Sequence, residues 1–365
     1  MNIKSISALY EETHCVSHAR TRLKGDSLVN HALDCRVSRE SEWTRKQSTT
    51  VNAQAVFDTV EELNTVYGVR PGFEAVPATV EKYEKTVKEA VKERVIFEND
   101  RVLHEHVKTL VQQGHFNNLL RTSFTDATWQ SFLYDLPRGT MKFLLNSCLD
   151  TLPTKANLLK WGKSFSDRCP LPQCGNKQTT NHILNSCQVA LKSGKYLWRH
   201  NAIINYILGM IDKKSFAVYS DLPGYTTPAG GSIPADLLVT PLKPDIVIID
   251  KKNKTVEIAE LTCPFETRIA AAHKLKQDKY AHFLTDINND YKPTLNCFEI
   301  GSRGIVTREN RDRLRRLHKY TDKSVKLKKF VQNISYISIL SSYYIYIARN
   351  EPSWTDPPFI SPPNQ

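Results

Sequence analysis

Two sets of residues in this chain have the types and spacing to do chemistry, and the first is a pair of acids. Asp245 follows Lys243 and Pro244 and opens a β-branched run, Ile246-Val247-Ile248-Ile249. Glu260 lies in a second β-rich run, Val256 to Cys263, with fourteen residues between the two acids. The intervening Lys251-Lys252-Asn253-Lys254 has turn composition, so the runs read as a hairpin whose adjacent strands bring the acids to one sheet edge. Alternation puts Glu260 on one face with Val256, Ile258 and Thr262, and puts its competitor Glu257 on the other. Two carboxylates at close range, with the backbone carbonyl of Leu261 beside them, suit a hard divalent cation, Mg2+ or Mn2+. Such an ion activates water and stabilises the charge that builds up in phosphodiester cleavage. The same spacing also fits a turn-capping Asp245 and a salt-bridged Glu260 with no catalytic role.

Hydrolysis at such a pair needs a lysine to orient the water or offset negative charge. The usual place, two residues after the second acid, holds Thr262. Lys276 and Lys279 lie on the helical stretch that follows. Lys276 shares a helical stripe with Ile269, His273, Tyr280 and Phe283 that should face the sheet, an unexpected place for a lysine in a plain core. The sequence does not choose between the two lysines.

The second set is Cys169, Cys174, His182 and Cys187, spaced C-x4-C-x7-H-x4-C. Three thiolates and one imidazole in a short segment suit tetrahedral zinc. The residues between, 175–181, are polar and could not form a core alone, so a structural zinc would supply the missing folding energy. All four positions are filled by protein, which makes this a closed structural site. A knuckle of this kind contacts nucleic acid or braces two domains.

The elements that must hold these groups follow from pattern. Residues 1–75 are mixed, with short helices expected. Residues 76–162 read as a helical linker: Val80, Tyr83, Val87, Val91 and Val95 recur at helical spacing from Thr79 to Gln113, with Gly114 as a stop. More helix follows over 127–162, broken at Pro137-Arg138-Gly139, with a short helix after Pro153-Thr154. Residues 163–194 carry the knuckle. A helix is expected from Lys195 to Ile211, with Leu197, His200, Ile204, Leu208 and Ile211 on one face, and Arg199 and His200 within reach of a phosphate. Residues 220–235 read as loop, 266–286 as helix, 295–300 as strand and 308–329 as a basic helix. Phe330 to Ala348 is fairly apolar but interrupted by Gln332, Asn333, Ser and Tyr, which fits a buried terminal segment better than a membrane span. The Pro-rich tail, 351–365, is expected to be flexible. The fold class is therefore α+β: a helical N-terminal region, a small zinc knuckle, and an α/β domain over 195–350 with a mixed central sheet.

Composition agrees with a folded protein, with 40% apolar and 24% charged residues among 365. Fifty Lys and Arg against 38 Asp and Glu give a net charge of +12, which favours a polyanionic partner through phosphate neutralisation. A merely soluble basic surface is the alternative. The start, MNIKSISALYEETH, has no apolar signal region, so a disulfide framework is not expected. Cys15, Cys35, Cys148, Cys263 and Cys297 read as ordinary thiols.

Taken together, these pieces resemble the C-terminal region of non-LTR retrotransposon proteins that carry a restriction-like endonuclease. The matching residues are the cluster at 169–187, Trp198-Arg199-His200-Asn201, Lys243-Pro244-Asp245, Glu260-Leu261-Thr262-Cys263-Pro264-Phe265-Glu266, Lys276-x-x-Lys279-Tyr280 and Phe298-Glu299-Ile300-Gly301-Ser302-Arg303-Gly304. Pro137 to Phe143 and Ala348 to Pro352 match less specifically. The resemblance covers about 120–355 and implies a PD-(D/E)xK-type nuclease that nicks target DNA. Asp245, Glu260 and Leu261 would then hold the cation, Lys276 or Lys279 would be the displaced lysine, and Arg199, His200, Tyr280 and Arg303 would contact nucleic acid, DNA first and RNA as a second partner. The family commonly has Asp where this chain has Glu260. Its reverse transcriptase carries an aromatic-x-D-D signature that these residues lack, so the resemblance implies a fragment or truncated copy without polymerase activity, acting in the nucleus and not secreted. A binding remnant that no longer cuts, and a scaffold role for the helical N-terminal region, stay open.

Overall fold

The computed structural model describes residues 129–358, apart from 229, 281, 288, 289 and 323, together with residue 362 and scattered positions between 28 and 119. The segment 1–75, most of the helix expected over 79–113 and the end of the tail lie outside the described residues; positions 85, 89, 101 and 105–109 are helical. The chain divides into two compact units, 1–109 and 110–365, and the architecture below is that of the second. Knuckle, preceding helices and sheet all belong to it.

At its centre is a four-stranded mixed sheet. Strand β1 is Ala217–Tyr219, β2 is Ile246–Asp250, β3 is Thr255–Thr262 and β4 is Lys292–Glu299, in the order β1-β2-β3-β4. The first two pairings are antiparallel and β3 pairs with β4 in parallel. The expected hairpin is β2-β3, with Ile246 opposite Ala259. One further step of that register places Asp245 opposite Glu260. The short β1 was not legible, because three residues beside a polar loop carry too little alternation.

Both faces of the sheet are covered, as the uninterrupted apolar run 246–249 requires. Ile246, Ile248, Ala259, Leu261 and Phe298 face one core, packed under helices α4 (Lys195–Met210), α6 (Arg308–His318) and α7 (Leu327–Ile347). Val247, Ile249, Val256 and Ile258 face the other, with Tyr280 at the end of helix α5 (Ile269–Tyr280). Short helices α1 (Arg138–Cys148), α2 (Lys155–Lys160) and α3 (Gln188–Lys192) precede α4. Helix α1 starts directly after Pro137, and the Thr154 hydroxyl caps α2 by accepting the Asn157 N–H at 3.2 Å. The helix expected over 266–286 is α5 with a 3-10 turn at each end, 266–268 and 282–285.

Three expectations need correction. Helix α4 is buried around most of its circumference, so Leu197, placed on its core stripe, is 60% exposed, whereas Trp198, Arg199, Ile203 and Ile207 are buried. The single-face pattern fails because α4 is covered by α7 as well as by the sheet. The basic stretch 308–329 is not one helix: α6 stops after His318, and α7 begins at Leu327. The Pro-rich tail is docked as far as Pro357, not free there, because Trp354 packs edge-on to Trp198 at 5.6 Å and the Trp198 indole N–H donates to the Pro357 carbonyl at 3.0 Å.

Helix α7 explains the polar interruptions in the segment 330–348. Ser335, Ser338 and Ser342 are buried and donate to the carbonyls of Gly304, Gly301 and Ser302. A ladder of hydroxyls at three- and four-residue spacing thus satisfies a loop that has no sheet partner. The loop approaches so closely that a Cβ at Gly304, whose φ is +81°, would lie 2.6 Å from Ile339. No described helix is long and apolar enough to cross a membrane.

Candidate active site and metal centre

The acids meet where β2 begins and β3 approaches its end. Asp245 Oδ2 accepts the Leu261 backbone N–H at 2.8 Å, and Glu260 Oε1 accepts the Asp245 backbone N–H at 3.1 Å. Helix α5 brings in the lysine: Lys276 Nζ donates to Glu260 Oε2 at 2.6 Å. Helix α4 brings in His200, whose Nε2 lies 3.1 Å from Asp245 Oδ2 and whose Nδ1 lies 3.1 Å from the Asn201 side-chain oxygen. With an oxygen acceptor at each ring nitrogen, this imidazole is arranged to carry both protons. Four elements therefore converge at one end of the central strands β2 and β3.

Electrostatics separate the two acids. Burial penalises the charge on Asp245, but His200, Lys276 and the Leu261 N–H outweigh it and hold the carboxyl below its ordinary range. Burial and the Asp245 charge push Glu260 up, and Lys276 opposes them without winning. For His200, burial works against the proton, yet Asp245 and Asn201 together raise it. Lys276 is likewise disfavoured by burial and raised overall by Glu260 and Asp245. Carboxyls pushed apart in this way are typical of sites that handle protons.

The remaining expected residues divide. Lys279 is exposed and its ammonium sits over the Tyr280 ring at 4.8 Å, one turn along from Lys276. Of the two lysines only Lys276 contacts Glu260, a difference in side-chain direction that stripe counting alone does not supply. Three residues expected on nucleic acid are buried instead. Arg199 donates to Ser342 Oγ and to the Cys263 carbonyl. Arg303 pairs with Glu266 at 2.7 Å, donates to the Ser147 carbonyl, and lies between the rings of Phe116 and Phe265. Tyr280 is fully buried against the second core. The terminal nitrogens of Arg199 and the guanidinium of Arg303 are turned inward to acceptors of the fold, so these side chains build structure rather than a phosphate surface. Glu257 is on the opposite face from Glu260, as alternation requires, and accepts from Thr294.

Sequence reading missed a second polar group beside the site. Glu299, at the end of β4, accepts from His273 Nδ1 at 3.0 Å and from Arg313 at 3.1 Å, while Arg313 also donates to His273 Nε2 at 2.9 Å. His273 lies on α5 one turn before Lys276. The signal for this group was present, since His273 shares the Lys276 stripe, but nothing in the sequence links either to Arg313.

Cys169, Cys174, His182 and Cys187 converge as the spacing predicts, with all four ligand atoms within 4.8 Å of one another. Cys174 Sγ is 3.4 Å from His182 Nε2 and 3.7 Å from Cys187 Sγ. A tetrahedron built on ordinary zinc bond lengths has edges of about 3.5–3.8 Å, so the set could hold a zinc ion. The thiols are too far apart for disulfides and are free. Burial raises the Cys169 thiol to about 12, so a metal would be needed to hold it as thiolate. Local structure builds the cluster: the Cys169 N–H donates to the Asn176 carbonyl across a tight turn, and His182 opens a π-helical turn, 182–186. That turn is tied to the sheet, for Asn185 donates to the Cys263 carbonyl at 2.6 Å, directly after β3.

No protein-family model matches the chain, and no curated protein matches it in sequence.

Proposed function

We propose that this protein is a metal-dependent DNA endonuclease whose cutting site is Asp245, Glu260 and Lys276, carried on a restriction-like α/β fold with a structural zinc knuckle. The observation that carries the reading is the meeting of these three side chains, from two strands and a helix, at one end of the central strands. The donor set suits a small hard cation. Asp245 and Glu260 offer carboxylate oxygens, and the Leu261 carbonyl points to the same side as its N–H, toward Asp245, because both groups of a strand residue share one edge. Mg2+ or Mn2+ held there would acidify a water and offset charge developing on the scissile phosphate.

The chain's own residues do the rest. Lys276, anchored on Glu260 Oε2, orients the attacking water and supplies a positive charge beside the phosphate. His200 keeps Asp245 ionised and fixes its side chain. The net charge of +12 favours the polyanionic substrate. Nicking of supercoiled plasmid with Mg2+ tests the reading: the parent should cut, and Asp245→Ala and Glu260→Ala should each lose about a hundredfold or more. If both variants cut as well as the parent, the assignment is wrong. Salt-sensitive DNA binding without cleavage by the parent would instead mark a binding remnant.

A further inference from the structure

We infer that Arg313 is a phosphate fork, which seats a backbone phosphate of duplex DNA next to the Asp245–Glu260–Lys276 site. The inference deepens the endonuclease reading and rests on it for the identity of the polymer. Arginine has five N–H donors in a rigid fork. In Arg313, Nη1 donates to Glu299 Oε2 and to Asn310 Oδ1, and Nη2 donates to His273 Nε2. Three donors are thereby anchored, and among the described residues the Nε–H and one Nη2 hydrogen have no acceptor. Those two lie on one edge of the guanidinium, the geometry that grips two oxygens of a phosphate at once. The side chain is 24% exposed, so the unused edge is not sealed in a core.

The anchors fix where that edge is held. Glu299 is buried and stands at the end of edge strand β4, opposite Thr262 and two residues on from Cys297, which pairs with Glu260. His273 Nδ1 lies against Glu299 and its Nε2 faces the Arg313 donor, so both its nitrogens are spent on orienting the fork. Lys276 follows His273 by one turn on the same helix and is itself partly exposed. A phosphate on the Arg313 fork would therefore lie on the same side of the sheet as one presented to Lys276. Helix α6 also carries Arg308, Arg311 and Arg316, none of which makes an ion pair with a described residue.

Duplex binding by the full chain, measured by fluorescence anisotropy across a salt series without added divalent cation, tests this apart from cleavage. Arg313→Met should weaken binding by about tenfold and lower the log–log salt slope by about one, the signature of one lost phosphate contact. Arg313→Lys should keep the slope, since charge remains, yet bind more weakly, since the fork is gone. Thermal midpoints monitor folding. Unchanged affinity and slope in Arg313→Met, or weaker binding with an unchanged slope and a lowered midpoint, would overturn the inference. So would the same Arg313 dependence on duplex RNA with none on DNA. Failure of the parent to nick plasmid while Arg313 behaves as described would sink the endonuclease reading and leave the fork standing.

Discussion

Asp245 and Glu260 each hydrogen-bond the backbone beside the other: Asp245 Oδ2 takes the Leu261 N–H, and Glu260 Oε1 takes the N–H of Asp245. The exchange locks the start of β2 to the end of β3 through the very groups assigned to the cation. Reach therefore matters at position 260 as well as charge. Glu260→Gln keeps the reach and loses the charge, and plasmid nicking should fall by about a hundredfold or more. Glu260→Asp keeps the charge but is one methylene short of the Asp245 N–H and Lys276, and activity should fall by about tenfold. A Gln variant that outperforms the Asp variant would contradict this account.

The two lysines separate cleanly. Lys276→Met removes the only described cation within hydrogen-bonding distance of Glu260, and nicking should drop by about a hundredfold. Lys279→Met removes an exposed ammonium stacked on Tyr280, and nicking should stay within about twofold. Single-turnover rates at saturating Mg2+ measure both.

Metal removal should act on stability first. The full chain should carry one zinc, measured by atomic emission, and lose it in the Cys174→Ser, Cys187→Ser double variant. Because Asn185 ties the knuckle to the Cys263 carbonyl, loss of zinc should lower the thermal midpoint of the whole unit, by more than about 5 °C. An unchanged midpoint in the zinc-free variant would show that the knuckle folds without metal.

Glu257 gives a stability test that does not touch the site. Burial pushes its carboxyl above the ordinary range, with the Thr294 hydroxyl and the Asn296 side chain opposing. A group with a raised folded pKa binds its proton more tightly when folded. Its stabilising share is complete below the unfolded pKa and is lost as pH rises through the folded one. Glu257→Gln should therefore be more stable than the parent at pH 8, by about 1 kcal/mol, and no more stable at pH 4. Denaturant midpoints at the two pH values decide it.

Much of this arrangement was legible in the sequence because local pattern fixed it. The hairpin register follows from two β-branched runs and a Lys/Asn turn, and it alone sets Asp245 opposite Glu260. The zinc ligands follow from spacing within nineteen residues, a distance over which the chain has few ways to fold. What stayed hidden depends on neighbours distant in sequence. Arg199 and Arg303 look like surface cations until Ser342, Cys263, Glu266 and Ser147 occupy their donors. Leu197 looks like core until α7 claims a different side of α4. Lys276 and Lys279 differ only in where their side chains lead, which an apolar stripe with mixed composition does not encode.

Helix α7 has one more consequence. Its residues enter three separate cores: Phe330, Val331, Ile334 and Ile337 lie under the sheet, Tyr336 and Ile339 join the core beneath α1, and Ile345 and Tyr346 pack by the zinc turn. It is translated after every element it touches in those cores. A nascent chain halted before Leu327 would thus leave all three cores open to solvent at once.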